Sequence, residues 1–211
     1  MSKKIITAGN HRVFVDCDRT LVNTEIYPLP SRHIFDRRPK FFFRWNTVLT
    51  EARPSAKAFL QELGSKYEVA MLTLGHSKFQ AKVLKELGLA DLVGEIYGPD
   101  NCDMVPPTNG FVLVDDMEPH SLAIAYKMRW LGHQKGLENL QIWPDKLARH
   151  IVQCRPFMGG IEDSEPLTDL LPSVHERMAQ MMAENHELET EPKTEPETEP
   201  KQELNQEPEK D

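Results

Sequence analysis

Three short apolar runs in this chain each break off at a polar residue capable of chemistry. Val13-Phe14-Val15 stops at Asp16, the run from Glu68 to Leu72 stops at Thr73, and Phe111 to Val114 stops at Asp115. Unbroken runs of this kind are the pattern of strands buried on both faces, which are typical of a parallel sheet. Helical spacing lies between them. Ser55 to Leu63 carries Phe59, Leu60 and Leu63, with Pro54 expected at the first helical position. Ser77 to Leu87 sets Val83, Leu84 and Leu87 against Lys78, Lys82 and Lys85, and Gly88 can cap it. Ser121 to Leu131 repeats Leu122, Ala125, Tyr126 and Trp130 at the same period, and a further strand is expected at Leu140 to Trp143. The alternation predicts an α/β fold, a Rossmann-like parallel sheet with helices on both faces.

Functional groups in such a sheet collect beyond the carboxyl ends of the strands. Asp16 and Asp18 flank a turn after the first run, Asp115 and Asp116 follow the third, and Thr73 ends the second. Two carboxylates about 4 Å apart repel by roughly 4 kcal/mol at an effective dielectric near 20. Four converging acids therefore require protons or a cation among them. An all-oxygen cluster on an open rim suits Mg²⁺, which keeps several waters and accepts phosphate oxygens.

Charge and cysteine usage narrow the classes. The formal charge of −8 sits wholly in residues 184–211, and residues 1–183 sum to zero. An electroneutral body argues against a dedicated nucleic-acid binder. The last segment repeats Thr-Glu-Pro every four residues from Thr190, so a regular helix is forbidden there and a disordered acidic tail, 184–211, is expected to follow one domain, 1–183. The tail reads as a solvating segment, with partner binding the other possibility. No run approaches 18 apolar residues and MSKKIITAGN has no signal-peptide core, so neither membrane spanning nor secretion is expected. Cys17, Cys102 and Cys154 are odd in number and lack a CxxC pair, which points to a reducing, cytoplasmic setting without excluding the nucleus.

Asp16-x-Asp18-x-Thr20, Thr73 and the Asp115-Asp116 pair resemble motifs I, II and IV of the haloacid dehalogenase superfamily. Within it the chain is most similar to the small carboxy-terminal-domain phosphatases, the nuclear LIM interactor-interacting factor type. Arg53-Pro54 before Phe59-Leu60, the run Tyr67 to Thr73, Lys78-Phe79 and the closing stretch Glu165 to Pro172 carry that likeness, which extends from Val13 to Met178. It implies Asp16 as nucleophile, Asp18 as general acid and base, and Thr73 as a donor to the phosphoryl group. It also implies Mg²⁺ held by Asp16, the Asp18 backbone carbonyl and Asp116, with Asp115 in support. Thr20 would brace the turn.

One departure stands out. The family's motif III lysine, which pairs with nucleophile and phosphate, should lie shortly before the third run, yet residues 86–126 hold no lysine or arginine. Lys78, in the first turn of its helix, is the nearest substitute, and a solvated helix face is the competing reading for it and for Lys82. The segments available for a lid, 23–50 and 74–110, are too short for a large cap. A capless site with a short insert favours a bulky substrate, a phosphoprotein or phosphopeptide carrying phosphoserine or phosphothreonine. In the insert, Arg32 to Trp45 interleaves basic and aromatic residues. Its plain reading is a hairpin with Phe41, Phe43 and Trp45 turned inward and Phe42 and Arg44 outward, leaving Arg44 as a candidate substrate contact. A phosphopeptide-binding pseudophosphatase is the alternative function, and a nucleic-acid end phosphatase a weaker one. A two-component receiver domain would place its acidic pair first, which this order does not.

Overall fold

The structure is a computed structural model that describes residues 11–28, 40–43, 46–106, 108, 110–130, 138, 144–160 and 165–190. In chain order its elements are β1 (His11–Val15), β2 (Val22–Pro28), β3 (Lys40–Phe43), β4 (Asn46–Ala52), α1 (Ala56–Lys66), β5 (Glu68–Leu72) and α2 (Ser77–Glu86). There follow β6 (Ile96–Tyr97), β7 (Gly110–Asp115), α3 (Pro119–Arg129), α4 (Pro144–His150), β8 (Ile151–Gln153) and α5 (Leu171–Thr190).

Five strands form a parallel sheet in the order β6-β5-β1-β7-β8. Period-two alternation divides its side chains between two cores. Val13, Val15, Met71, Val112 and Val114 pack with Phe59 and Leu63 of α1, Val83 and Leu84 of α2, and Val174 and Met178 of α5. Phe14, Leu72 and Leu113 pack with Leu122 and Tyr126 of α3, Trp130, and Leu147 of α4. Both faces are covered, which is why the three central strands read as unbroken apolar runs. The α/β expectation with helices on both faces holds.

The helix ends differ by a few residues for local reasons. α3 starts at Pro119, earlier than Ser121, because the Glu118 carboxylate accepts from the His120 and Ser121 N–H groups at 3.1 and 3.0 Å. α1 starts at Ala56, so Pro54 lies ahead of it rather than at its first position, and the Ser55 hydroxyl accepts from Leu167 N–H at 2.9 Å. Gly88 does close α2, at φ +68°. α5 continues beyond residue 184 to Thr190, two residues short of Pro192, where a missing N–H and the ring's steric demand oppose further helix.

The strand expected at Leu140 to Trp143 lies outside the described residues, and the fifth strand is Ile151–Gln153. The insert after β1 is a three-stranded antiparallel sheet ordered β2-β4-β3. A hairpin does form, but β3 pairs with β4, Asn46–Ala52, which lies beyond the Arg32–Trp45 stretch expected to contain it, and Phe41 is buried against the Phe79 ring at 6.0 Å. Arg44 and Trp45 lie outside the described residues. No described helix is long and apolar enough to cross a membrane. All three cysteines are buried free thiols.

Candidate active site

β1 is the strand from which the sheet's connections diverge, with β5 and β6 added on one side of it and β7 and β8 on the other. A crevice opens at such a switch point, beyond the strands' carboxyl ends. Asp16 extends β1 into that crevice, its N–H donating to Val114 O at 2.9 Å. The chain then folds back: Leu21 and Val22 N–H both reach Cys17 O, at 2.9 and 3.1 Å, and Arg19 N–H reaches Val22 O at 2.6 Å. Arg19 takes φ +65°, a left-handed conformation that costs a non-glycine residue about 1–2 kcal/mol. The turn brings Asp16 and Asp18 to one cavity.

Two buried residues brace it. The Thr20 hydroxyl donates to Asp116 Oδ1 at 3.5 Å and accepts from Cys154 Sγ at 3.8 Å. The Arg53 guanidinium donates to Thr20 O at 3.4 Å, Arg155 O at 3.0 Å and Glu165 O at 2.6 Å. From β5, Thr73 is buried and its hydroxyl accepts from Gly75 N–H at 3.1 Å, which leaves its own O–H as a donor. From β7, Asp115 Oδ1 accepts from Met117 N–H at 2.8 Å.

Asp16, Asp18, Thr73, Asp115 and Asp116 line one cavity of about 210 Å³. Burial lifts Asp16 well above the usual carboxylate range, the Asp115 and Asp18 charges lift it further, and the Cys17 N–H opposes them. Asp115 is pushed up to about 7, by burial first, against donation from Met117 N–H. Burial also raises Asp18, against donation from Gln80, and Asp116, against donation from its own N–H and the charge of Arg19. Carboxylate oxygens of Asp16, Asp115 and Asp116 lie within 4.8 Å of one another. This crowded, all-oxygen, charge-deficient set fits a hard divalent cation.

The expected lysine is not part of the set. Lys78 lines a neighbouring apolar pocket of about 410 Å³ with Ile26, Val48 and Phe79. The start of α2 is fixed there by Asp100, whose carboxylate oxygens accept from the Ser77 N–H and hydroxyl, each at 2.8 Å. The Lys82 ammonium sits over the Phe41 ring, 4.6 Å from its centroid. Among the described residues, Arg19 is the basic side chain that lines the acidic cavity. Its place between Asp18 and Thr20, inside motif I, is its only mark in the sequence. Gln80 also joins the set, its Nε2 donating to Asp18 Oδ2 at 2.5 Å. Its mark in the sequence is a polar residue three and four positions before Val83 and Leu84, on the apolar face of α2. A third cavity, of about 370 Å³, shares Asp18 and Arg19 with the acidic one and Ile26 and Phe79 with the apolar one, so the three form a trough.

Residues 12–118 match the model of the NLI interacting factor-like phosphatases. Among solved structures, the chain is similar to a variant of fission yeast RNA polymerase II CTD phosphatase Fcp1 bound to beryllium fluoride. That match has 15% identity and a TM-score of 0.44, and it covers 84% of this chain and 55% of the other. A second structure, described as Fcp1, an essential RNA polymerase II CTD phosphatase, matches at 19% identity with a TM-score of 0.41, covering 86% of this chain and 54% of the other. The chain thus spans about half the length of these structures. A search of curated proteins found no match to the sequence.

Proposed function

Since the chain belongs to the NLI interacting factor-like phosphatase family, we propose that it hydrolyses phosphoserine and phosphothreonine esters of proteins, with Asp16 as the nucleophile. The observation that carries this reading is the convergence of Asp16, Asp18, Thr73, Asp115 and Asp116, from three separate strand ends, on one cavity. An Asp16 carboxylate oxygen attacks phosphorus, the bond from phosphorus to the seryl oxygen breaks, and Asp18 gives its proton to that oxygen. A water then attacks the aspartyl phosphate and passes a proton to Asp18, which releases inorganic phosphate and restores the Asp16 carboxylate. The Thr73 hydroxyl donates to a phosphoryl oxygen and holds the group in line. Arg19 offers positive charge from the rim, in the role that the family gives to a lysine.

Asp16, Asp116 and the Asp18 carbonyl, with Asp115 in support, would hold a Mg²⁺ ion, which would supply the charge that offsets repulsion between carboxylates and phosphate. The trough running past Ile26 and Phe79 supports an extended substrate such as a polypeptide. Among the described residues, the small insert sheet does not cover it.

The test is turnover of an aryl phosphate and of phosphoserine peptides with Mg²⁺, beside Asp16→Asn and beside oligonucleotides phosphorylated at either end. The reading expects peptide turnover that Asp16→Asn abolishes. Peptide binding without turnover would favour a phosphopeptide-binding module, the reading supported by a cavity with no lysine among its described lining residues. Preference for oligonucleotides would overturn the substrate class.

A further inference from the structure

Gln80 occupies a place where α2 would be expected to carry a leucine. It is fully buried, and its neighbours on the same helix face are Val83 and Leu84. Its Nε2 donates to Asp18 Oδ2 at 2.5 Å, while its Oε1, equally buried, has no hydrogen-bond partner among the described residues. A leucine of similar size would leave no amide oxygen unpaired, and what the glutamine adds in exchange is a donor for Asp18 Oδ2. The backbone opposite is shaped around it. A Cβ at position 75 would lie 2.5 Å from Gln80 Nε2, so any other residue there would displace the amide from this position. Asp100, holding the Ser77 N–H and hydroxyl, fixes the start of the helix that delivers the amide.

Resting on the proposed phosphatase chemistry, we propose that Gln80 is a positioning residue that orients the Asp18 carboxyl for proton transfer to the leaving oxygen. The terminal torsion of an aspartate is broad and easily turned. Anchoring Oδ2 to a buried amide removes that freedom and leaves Oδ1 to exchange the proton. A serine ester needs this proton, because its alcohol leaves poorly as an alkoxide. A nitrophenyl ester hardly needs it, because nitrophenolate is a stable anion. Gln80 therefore matters in proportion to the basicity of the leaving group.

The experiment compares wild type, Gln80→Leu and Asp16→Asn in kcat/KM, which covers the steps through departure of the alcohol. The substrates are a phosphoserine peptide and a series of aryl phosphates of graded leaving-group acidity, with Mg²⁺ present. Gln80→Leu is expected to lose about tenfold to a hundredfold on the phosphoserine peptide and under threefold on nitrophenyl phosphate, with a steeper dependence on leaving-group basicity across the series. The steeper dependence on leaving-group basicity is what a purely structural role for Gln80 would not give, since a loss of stability alone lowers kcat/KM equally on every substrate. If Gln80→Leu does not fold, Gln80→Met, flexible enough to fill the same space, replaces it in the same comparison. An equal loss on all substrates, or none on any, overturns the positioning role while an inactive Asp16→Asn leaves the phosphatase reading standing. An Asp16→Asn as active as wild type overturns both.

Discussion

Arg53→Met tests whether one buried cation fastens the motif I turn to the rest of the fold. Arg53 is 3% exposed, and its guanidinium donates to three backbone carbonyls. The bond to Thr20 O, at 3.4 Å, is long; those to Arg155 O and Glu165 O, at 3.0 and 2.6 Å, are full hydrogen bonds. A bond from a charged donor contributes about 1.5–3 kcal/mol, so two of them give roughly 3–6 kcal/mol. Methionine keeps most of the apolar stem but satisfies none of the carbonyls, so the loss is not recovered by relieving the burial of charge. Set against a typical total of about 5–15 kcal/mol, this is a large fraction. Urea unfolding would show a midpoint lower by roughly 1.5–3 M at a slope near 2 kcal/mol/M. Arg53→Lys should fall between the two, since an ammonium cannot reproduce the guanidinium fork. A loss below about 1 kcal/mol with an unchanged slope would refute the fastening role.

Mg²⁺ at a hundredfold excess over its dissociation constant should stabilise the protein by about 2.7 kcal/mol, a rise in melting temperature of roughly 5–10 °C. Asp16→Asn should melt higher than wild type without the ion, because one crowded carboxylate is gone, and should lose most of the Mg²⁺ response; scanning calorimetry with and without chelator reads both. Arg19→Gly exchanges relief of a left-handed backbone against added freedom in the unfolded chain, so its stability should stay within about 1 kcal/mol of wild type. Its KM for aryl phosphate should nonetheless rise several-fold, and an unchanged KM would remove Arg19 from the site. His150 Nδ1–H donates to Phe111 O at 2.9 Å and the ring stacks on Phe111, and burial lowers its pKa against that hydrogen bond and the charge of Glu184. The unfolded chain then takes up the proton first as pH falls, so stability present above about pH 6.5 is lost on descending through the window below it. His150→Phe should flatten that slope in urea titrations between neutral and mildly acid pH.

The central strands were legible in the sequence because burial on both faces removes polar residues until the strand ends, and the end is where Asp16, Thr73 and Asp115 stand. β6 and β8 left no such trace. Two and three residues long at the sheet's edges, they are shorter than any periodicity, and Ile151 follows α4 with no glycine or proline between. β2 was hidden for another reason: most of Val22–Pro28 is only partly buried, so no apolar face marks it. The acidic residues were readable as a set because their strand ends are. Arg19 and Gln80 were not, since what matters for one is a backbone sign and for the other a contact between residues 62 positions apart. The first turn of α2 lies near the strand ends, but Asp100 fixes that turn and Lys78 lines the apolar pocket instead.

The acids of this site cannot relax away from one another, and that rigidity is what gives them chemical use. Asp16 is held in the ladder by Val114 O, and the Asp115 carbonyl accepts from Cys154 N–H at 2.9 Å, so two of the carboxylates are mounted on the most buried strands of the sheet. Exposed acids at a similar spacing would swing into water and lose most of their mutual repulsion. Here the carboxylate oxygens of Asp16, Asp115 and Asp116 stay within 4.8 Å of one another, and burial together with the neighbouring charges raises Asp16 and Asp115 toward the protonated form. The fold bears this crowding because the apolar cores on both faces of β1 and β7 stabilise the strands regardless of what their ends carry. A divalent cation among these carboxylates would relieve that repulsion and would then offset the added negative charge of a phosphoryl group, so the arrangement favours the pair over an anion alone. A Gln80 amide that fixes Asp18 without adding charge extends the same logic, because it restrains an acid without neutralising the deficit that draws the ligand in.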